Sequence, residues 1–138
     1  LKEDGFAPFM LPMQYSKDCK ICSEIAEAAG VSVLRDEYGV EQILGILSAC
    51  PAVVGMRLHA LIYALAAESS PVGIVYDPKV RGFMNYAGLS EMADVSEITA
   101  DGLYAMVMSA VSKKPSEDIS EMREQAFRNA KIAAELLK

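Results

Sequence analysis

The side chains best suited to chemistry fall in two short stretches. The first is Gly55-Met56-Arg57-Leu58-His59-Ala60, which holds the only histidine of the chain. A guanidinium is a planar fork that fits a carboxylate or a phosphate two-pronged. An imidazole two residues later can give or take a proton near neutral pH. Gly55 lets a backbone approach closely. The second stretch is Tyr76-Asp77-Pro78-Lys79-Val80. Its Lys79 could reach the same anion as Arg57 or simply be solvated, and Asp77 stands where the carboxylate cap of a helix belongs. The bland readings are an ion pair for Arg57 and a satisfied core imidazole for His59.

Elements must bring these residues together, and the pattern of apolar residues supplies them. Phe6–Met13 and Val31–Leu34 read as strands, as do Ala52–Met56, Val72–Tyr76 and Val95–Ile98. Ala52–Met56 shows no polar alternation, as expected of a strand buried on both sides. Between the strands lie helical periodicities at Ser16–Ala29, Val40–Ala49, Arg57–Glu68, Pro78–Tyr86 and Ala100–Ser112. Gly30 stops the first of these helices, and Pro78 starts the fourth. Ser116 is expected to cap a last helix, Glu117–Leu137, with an apolar stripe of Ile119, Met122, Ala126, Ala130, Ala133 and Leu137. Lys113-Lys114-Pro115-Ser116 is the one joint that could separate sub-structures. Strands alternating with helices predict an α/β fold, a Rossmann-like three-layer α/β/α arrangement on a mostly parallel sheet.

In such sheets ligands bind beyond the carboxyl ends of the strands. That rule selects Gln14–Ser16, Arg35–Tyr38, Gly55–His59, Tyr76–Arg81 and Ile98–Asp101. At Arg57 a strand gives way to a helix at once, and the free N–H groups of a helix start favour an anion. Neither a Gly-x-Gly-x-x-Gly turn nor a Gly-rich lysine loop is present, so a dinucleotide site has no fingerprint here.

Composition narrows the function further. The 138 residues carry 13 Lys+Arg against 19 Asp+Glu, a net charge of −6, with a mean hydropathy of +0.20. One domain spanning 1–138 is expected, apolar enough to bury a core. Net acidity argues against a nucleic-acid partner. The longest uncharged run, Gln42 to Met56, is about 15 residues and holds Pro51, short of a membrane span. Cys19-Lys-Ile-Cys22 could be a thiol pair or half a zinc site, but no second ligand pair exists and Lys-Ile suits a redox motif poorly. Two small side chains on one helical face explain it better, and no metal site is expected. Three reduced thiols suit a cytoplasmic protein. The absence of an initiator Met at Leu1 suggests a fragment.

Val54-Gly55-Met56-Arg57-Leu58-His59-Ala60-Leu61-Ile62, followed by Pro71-Val72-Gly73-Ile74-Val75-Tyr76-Asp77-Pro78-Lys79-Val80, resembles the C-terminal half of polysaccharide pyruvyl transferases, nearest to the CsaB type of bacterial cell-wall enzyme. The resemblance implies the donor-side half of a transferase with two Rossmann-like halves, similar to GT-B glycosyltransferases. Such enzymes move the pyruvyl group of phosphoenolpyruvate onto two hydroxyls of one sugar, giving a ketal that S-layer homology domains recognise. It places Arg57, Leu58 and His59 at the donor, beside the Gly55 that the strand end offers for close approach, with Arg57 and His59 catalytic, and adds Tyr76, Asp77 and Lys79 as weaker candidates. The implied partners are phosphoenolpyruvate, a cell-wall polysaccharide or its lipid-linked precursor, and an N-terminal half of the same enzyme. No cofactor beyond the donor is implied. The implied location is cytoplasmic, at the inner face of the membrane. The isolated half would be inactive. Two rivals stand beside this reading: the nucleotide-sugar half of a GT-B glycosyltransferase, and a non-catalytic assembly module using the last helix.

Overall fold

The computed structural model describes residues 1–113 and 119–136. Five strands alternate with helices before two terminal helices follow. In chain order they are β1 (Phe9–Met10), α1 (Tyr15–Ala29), β2 (Ser32–Val33), α2 (Val40–Ser48), β3 (Ala52–Gly55), α3 (Leu58–Ala66), β4 (Ser70–Val75), α4 (Pro78–Tyr86), β5 (Met92–Asp94), α5 (Ala100–Ser112) and α6 (Ser120–Leu136). Every pairing is parallel. The expected Rossmann-like α/β/α layering is therefore present.

The layers follow from the period-two alternation of β4, the central strand of β3-β4-β5. Val72 turns to one face and packs with Val107 and Ala110 of α5, joined by Ala52, Leu103 and Met106. Val75 turns to the other face and packs with Leu61 of α3 and Val80 and Met84 of α4. Gly73 shares that second face because Met84 lies where its side chain would be, 3.2 Å from an added Cβ. One strand thus carries two cores, and its neighbours' carboxyl ends are held in register with its own.

The structure corrects the sequence reading in four places. The expected single sheet is two sets, because β1 and β2 pair only with each other. Ala52–Gly55 is an edge strand, not one buried on both sides. Val54, on the same face as Ala52, is left 42% exposed. The fifth strand is Met92–Asp94, not Val95–Ile98. Its register against β4 (Gly73↔Met92, Val75↔Asp94) sets its place. The branched residues after it lie in a turn whose Glu97 and Ile98 N–H groups both donate to the Asp94 carbonyl at 3.0 Å. The last helix has no buried residue, and Phe127 and Leu136 are largely exposed. It is tied down by polar contacts, Arg123 Nη2 to the Ala66 carbonyl (3.1 Å) and Tyr86 Oη to Gln125 Oε1 (2.6 Å). Lys114, Pro115, Ser116, Glu117 and Leu137 lie outside the described residues.

Below the ligand edge, Glu91 ties α5 to β5. Its carboxylate is buried and accepts from Ser109 Oγ (3.0 Å), Ser90 Oγ (3.2 Å) and the Lys113 ammonium. Burial pushes this carboxyl up, but those three donors outweigh it and hold it below the usual range.

Candidate functional site

The chain turns from β3 into α3 in two residues. Arg57 is the N-cap of α3, in extended conformation, and its carbonyl accepts from Ala60 N (3.0 Å) and Leu61 N (3.4 Å). The Arg57 side chain makes no capping bond, and no other side chain among the described residues caps this helix start. The N–H groups of Leu58 and His59, at the first two helical positions, have no preceding helical carbonyl to use. The start of α4 is different. Asp77 is its N-cap, and the carboxylate accepts from Lys79 N at 2.9 Å. That bond holds the Asp77 carboxyl below its usual range. So α4 carries its own anion, whereas α3 presents an open start.

Gly55 is buried and closely packed. An added Cβ would stand 3.0 Å from Leu61 Cδ2 and 3.1 Å from Ala60 Cβ. The glycine lets the first turn of α3 fold back onto the strand that leads into it. Its close approach is to its own helix.

Arg57 is half-buried and engaged. Its Nε donates to Asp18 Oδ2 at 2.7 Å, and its Nη2 donates to Asp18 Oδ1. Asp18 lies in the first turn of α1, thirty-nine residues earlier, and also accepts from the N–H of Gln14 at 2.8 Å. Burial raises the Asp18 carboxyl, but the bonds from Arg57 and Gln14 outweigh it and keep it below the ordinary value. The same pairing raises the guanidinium, with Tyr76 and Cys22 near enough to add to the effect. The ion pair foreseen as the bland reading of Arg57 exists. It still leaves the guanidinium's other edge unused, because no described residue accepts from Nη1.

His59 is exposed, with Tyr63 edge-on at 6.3 Å between ring centroids. It has no hydrogen-bond partner among the described residues, so it is not a satisfied core histidine. Leu58 is half-buried beside it. On the neighbouring strand end, Lys79 Nζ stands 3.4 Å from Asp77 Oδ2 and 5.9 Å from the Tyr76 ring centroid, and Tyr76 is 49% exposed. Further along, Arg81 pairs with Asp94 at the end of β5. The edge thus carries three cation–carboxylate pairs rather than a bare positive patch. Asp18, Arg81 and Asp94 were missed in the sequence. Arg81 already closed the Tyr76–Arg81 segment without being singled out, and extending Gln14–Ser16 by one helical turn would have reached Asp18.

The fifth ligand-edge segment moves with its strand. It becomes 95–98, and Thr99 serves α5 as N-cap, its Oγ1 accepting from Gly102 N at 3.1 Å. Cys19 and Cys22 lie on α1 as free thiols, and burial pushes the Cys22 thiol up. A groove of about 570 Å³ runs between α1 and β2, lined by Ser23, Glu27, Val31 and Arg35 among others, and none of the candidate residues borders it. Among the described residues no three His, Cys, Asp or Glu side chains gather as a metal site would, and no helix is long and apolar enough to cross a membrane.

Parallel strands ending in an open helix start, with a held arginine and an exposed histidine, define a Rossmann-like domain suited to an anionic ligand. Comparison with known proteins narrows the class. The model of the polysaccharide pyruvyl transferase family matches residues 1–78, more than half of the chain and both candidate stretches up to Pro78. The chain belongs to the polysaccharide pyruvyl transferase family, a family of transferases. A curated relative is the amylovoran biosynthesis protein AmsJ of Erwinia amylovora, 29% identical over 112 residues. That alignment covers 77% of this chain, and the chain spans only 26% of the relative's length. No solved structure matches.

Proposed function

We propose that this chain is the donor-binding half of a phosphoenolpyruvate-dependent pyruvyl transferase acting on a cell-wall polysaccharide or its lipid-linked precursor. The observation that carries the reading is the uncapped start of α3, with Arg57 and His59 on it, in a chain of this family. Phosphoenolpyruvate offers a carboxylate and a phosphate, the groups that a helix start and a guanidinium fork receive best. An N-terminal half would supply the opposite wall of the cleft and the acceptor side. The location proposed is the cytoplasmic face of the membrane, where a lipid-linked acceptor would be met, and the ketal would serve S-layer anchoring.

The reaction balances without an added cofactor. A proton adds to the CH₂ carbon of the donor, which becomes a methyl group and leaves an oxocarbenium-like centre at C2. One sugar hydroxyl bonds to C2. The bond from C2 to the phosphate oxygen breaks, and its electron pair leaves with phosphate. The second hydroxyl then closes the ketal. Of the two hydroxyl protons, one replaces the proton used on carbon and the other leaves on phosphate. His59 is the group on this chain that could carry a proton to or from the donor. Arg57 and the Leu58 and His59 N–H groups hold the anionic ends, while Tyr76, Asp77 and Lys79 flank the site.

The test is phosphate release from phosphoenolpyruvate with a polysaccharide acceptor in the whole protein. Arg57→Ala and His59→Ala should each lower turnover by two orders of magnitude or more, with circular dichroism unchanged. Near-normal rates in both would sink the assignment. Calorimetry with phosphoenolpyruvate against uridine-diphosphate sugars separates this reading from a glycosyltransferase half.

A further inference from the structure

The guanidinium of Arg57 has two forks. The side-on fork, made by Nε–H and one Nη2–H, is filled by the two oxygens of Asp18. The end-on fork, made by the second Nη2–H and an Nη1–H, has no acceptor among the described residues. A planar group held along one edge cannot rotate, so its other edge is aimed before any ligand arrives. Asp18 is itself anchored. Its side chain is only 14% exposed, it sits in the first turn of α1, and its Oδ2 also takes the Gln14 N–H at 2.8 Å. The pair joins two parts of the fold that share no strand pairing, the β1–α1–β2 unit and the β3–α3 junction. A surface ion pair of two long side chains would contribute little and wander. A short, anchored carboxylate against a two-pronged arginine does neither.

We propose that Asp18 is a positioning residue for the donor site: it clamps Arg57 by its side-on fork so that the end-on fork meets one anionic group of the donor. This rests on the reading of Arg57 as a donor ligand. Asp18 acts through Arg57 and touches no substrate. An acidic residue beside a site for an anion is then in place. Its negative charge is offset by the guanidinium it holds, so the pair as a unit repels an anionic ligand little.

The experiment is a double-mutant cycle on the whole protein, reading kcat and KM for phosphoenolpyruvate separately. Asp18→Asn keeps the shape but offers one acceptor oxygen and no charge. It should raise KM for the donor about ten-fold or more and leave the acceptor KM within two-fold. In an Arg57→Lys background, where the double fork no longer exists, the same Asp18→Asn change should cost at most two- to three-fold. An Asp18 whose role is independent of Arg57 would cost the same factor in both backgrounds, and that result overturns the inference. So would an Asp18→Asn enzyme with normal donor KM. Arg57→Ala distinguishes the two levels. If it abolishes donor binding while Asp18→Asn does nothing, the clamp fails and the site stands. If Arg57→Ala binds donor normally, the site reading and the clamp fall together.

Discussion

Adding one methyl group at Gly55 should lower the stability of this protein, whereas the same change at Gly45 should raise it. Gly55→Ala places a Cβ 3.0 Å from Leu61 Cδ2 and 3.1 Å from Ala60 Cβ. Carbon atoms pack best near 3.5–4.0 Å, so two contacts must open by a few tenths of an ångström. Ala60 Cβ is fixed to the helix backbone and cannot give. The Leu61 side chain could swing, but it is fully buried against Val75, Val80 and Met84. Overpacking of this kind costs about 1–3 kcal/mol. The entropy lost from the unfolded chain returns about 0.4–1 kcal/mol. The balance is a destabilisation centred on about 1 kcal/mol, within about 0–2.6 kcal/mol. At this chain length it corresponds to a fall in Tm on the order of 5 °C. Gly45 lies inside α2 with nothing within 4 Å of an added Cβ, so Gly45→Ala should raise stability by about 0.5–1 kcal/mol. Thermal and urea unfolding followed by circular dichroism measure both. Because Gly55 sets where α3 begins, donor KM should rise in Gly55→Ala and stay unchanged in Gly45→Ala. A Gly55→Ala protein as stable as Gly45→Ala would refute the packing argument and return Gly55 to a ligand role.

Asp77→Ala removes the cap of α4 and should lower the thermal midpoint. If Asp77 only caps, Asp77→Ser restores stability and turnover together; stability recovered without turnover would show a second role in the reaction. Glu91 sets a pH dependence. Its carboxyl is lowered in the folded protein, so its contribution is complete above the ordinary value of 4.5 and fades as pH falls through the lower folded value. Glu91→Gln should therefore lower the urea midpoint clearly at pH 7 and much less at pH 3. A gap that does not depend on pH would mean that charge is not what Glu91 contributes. Loss of its charged hydrogen bonds should cost about 1–2 kcal/mol at neutral pH, because Lys113 regains water freely.

How much could be read directly from the chain depended on how local the cause was. The helices Pro78–Tyr86 and Ala100–Ser112 lie where Asp77-Pro78 and Thr99 start them, since caps and periodicity act within a few residues. The parallel α/β class and the loaded strand ends followed from the same local signals. The family likeness was legible too, in Arg57-Leu58-His59 and Tyr76-Asp77-Pro78-Lys79. Met92–Asp94 was not legible as a strand, because its residues have little intrinsic preference for one. Only hydrogen bonding to β4, about twenty residues away in sequence, makes it so. Nor could the sequence say that Val54 sits on an edge strand, which depends on what fails to pair with it.

The site divides along the same line. Sequence alone determined that a guanidinium and an imidazole stand at the start of one helix, because residue order and helix propensity suffice for that. Tertiary structure alone decided what each is free to do. It matched Arg57 to a carboxylate thirty-nine residues away, paired Arg81 with Asp94, and left His59 in solvent with no hydrogen-bond partner among the described residues. A long-range ion pair depends on how two helices are set against separate strands, and no local rule of sequence encodes that distance.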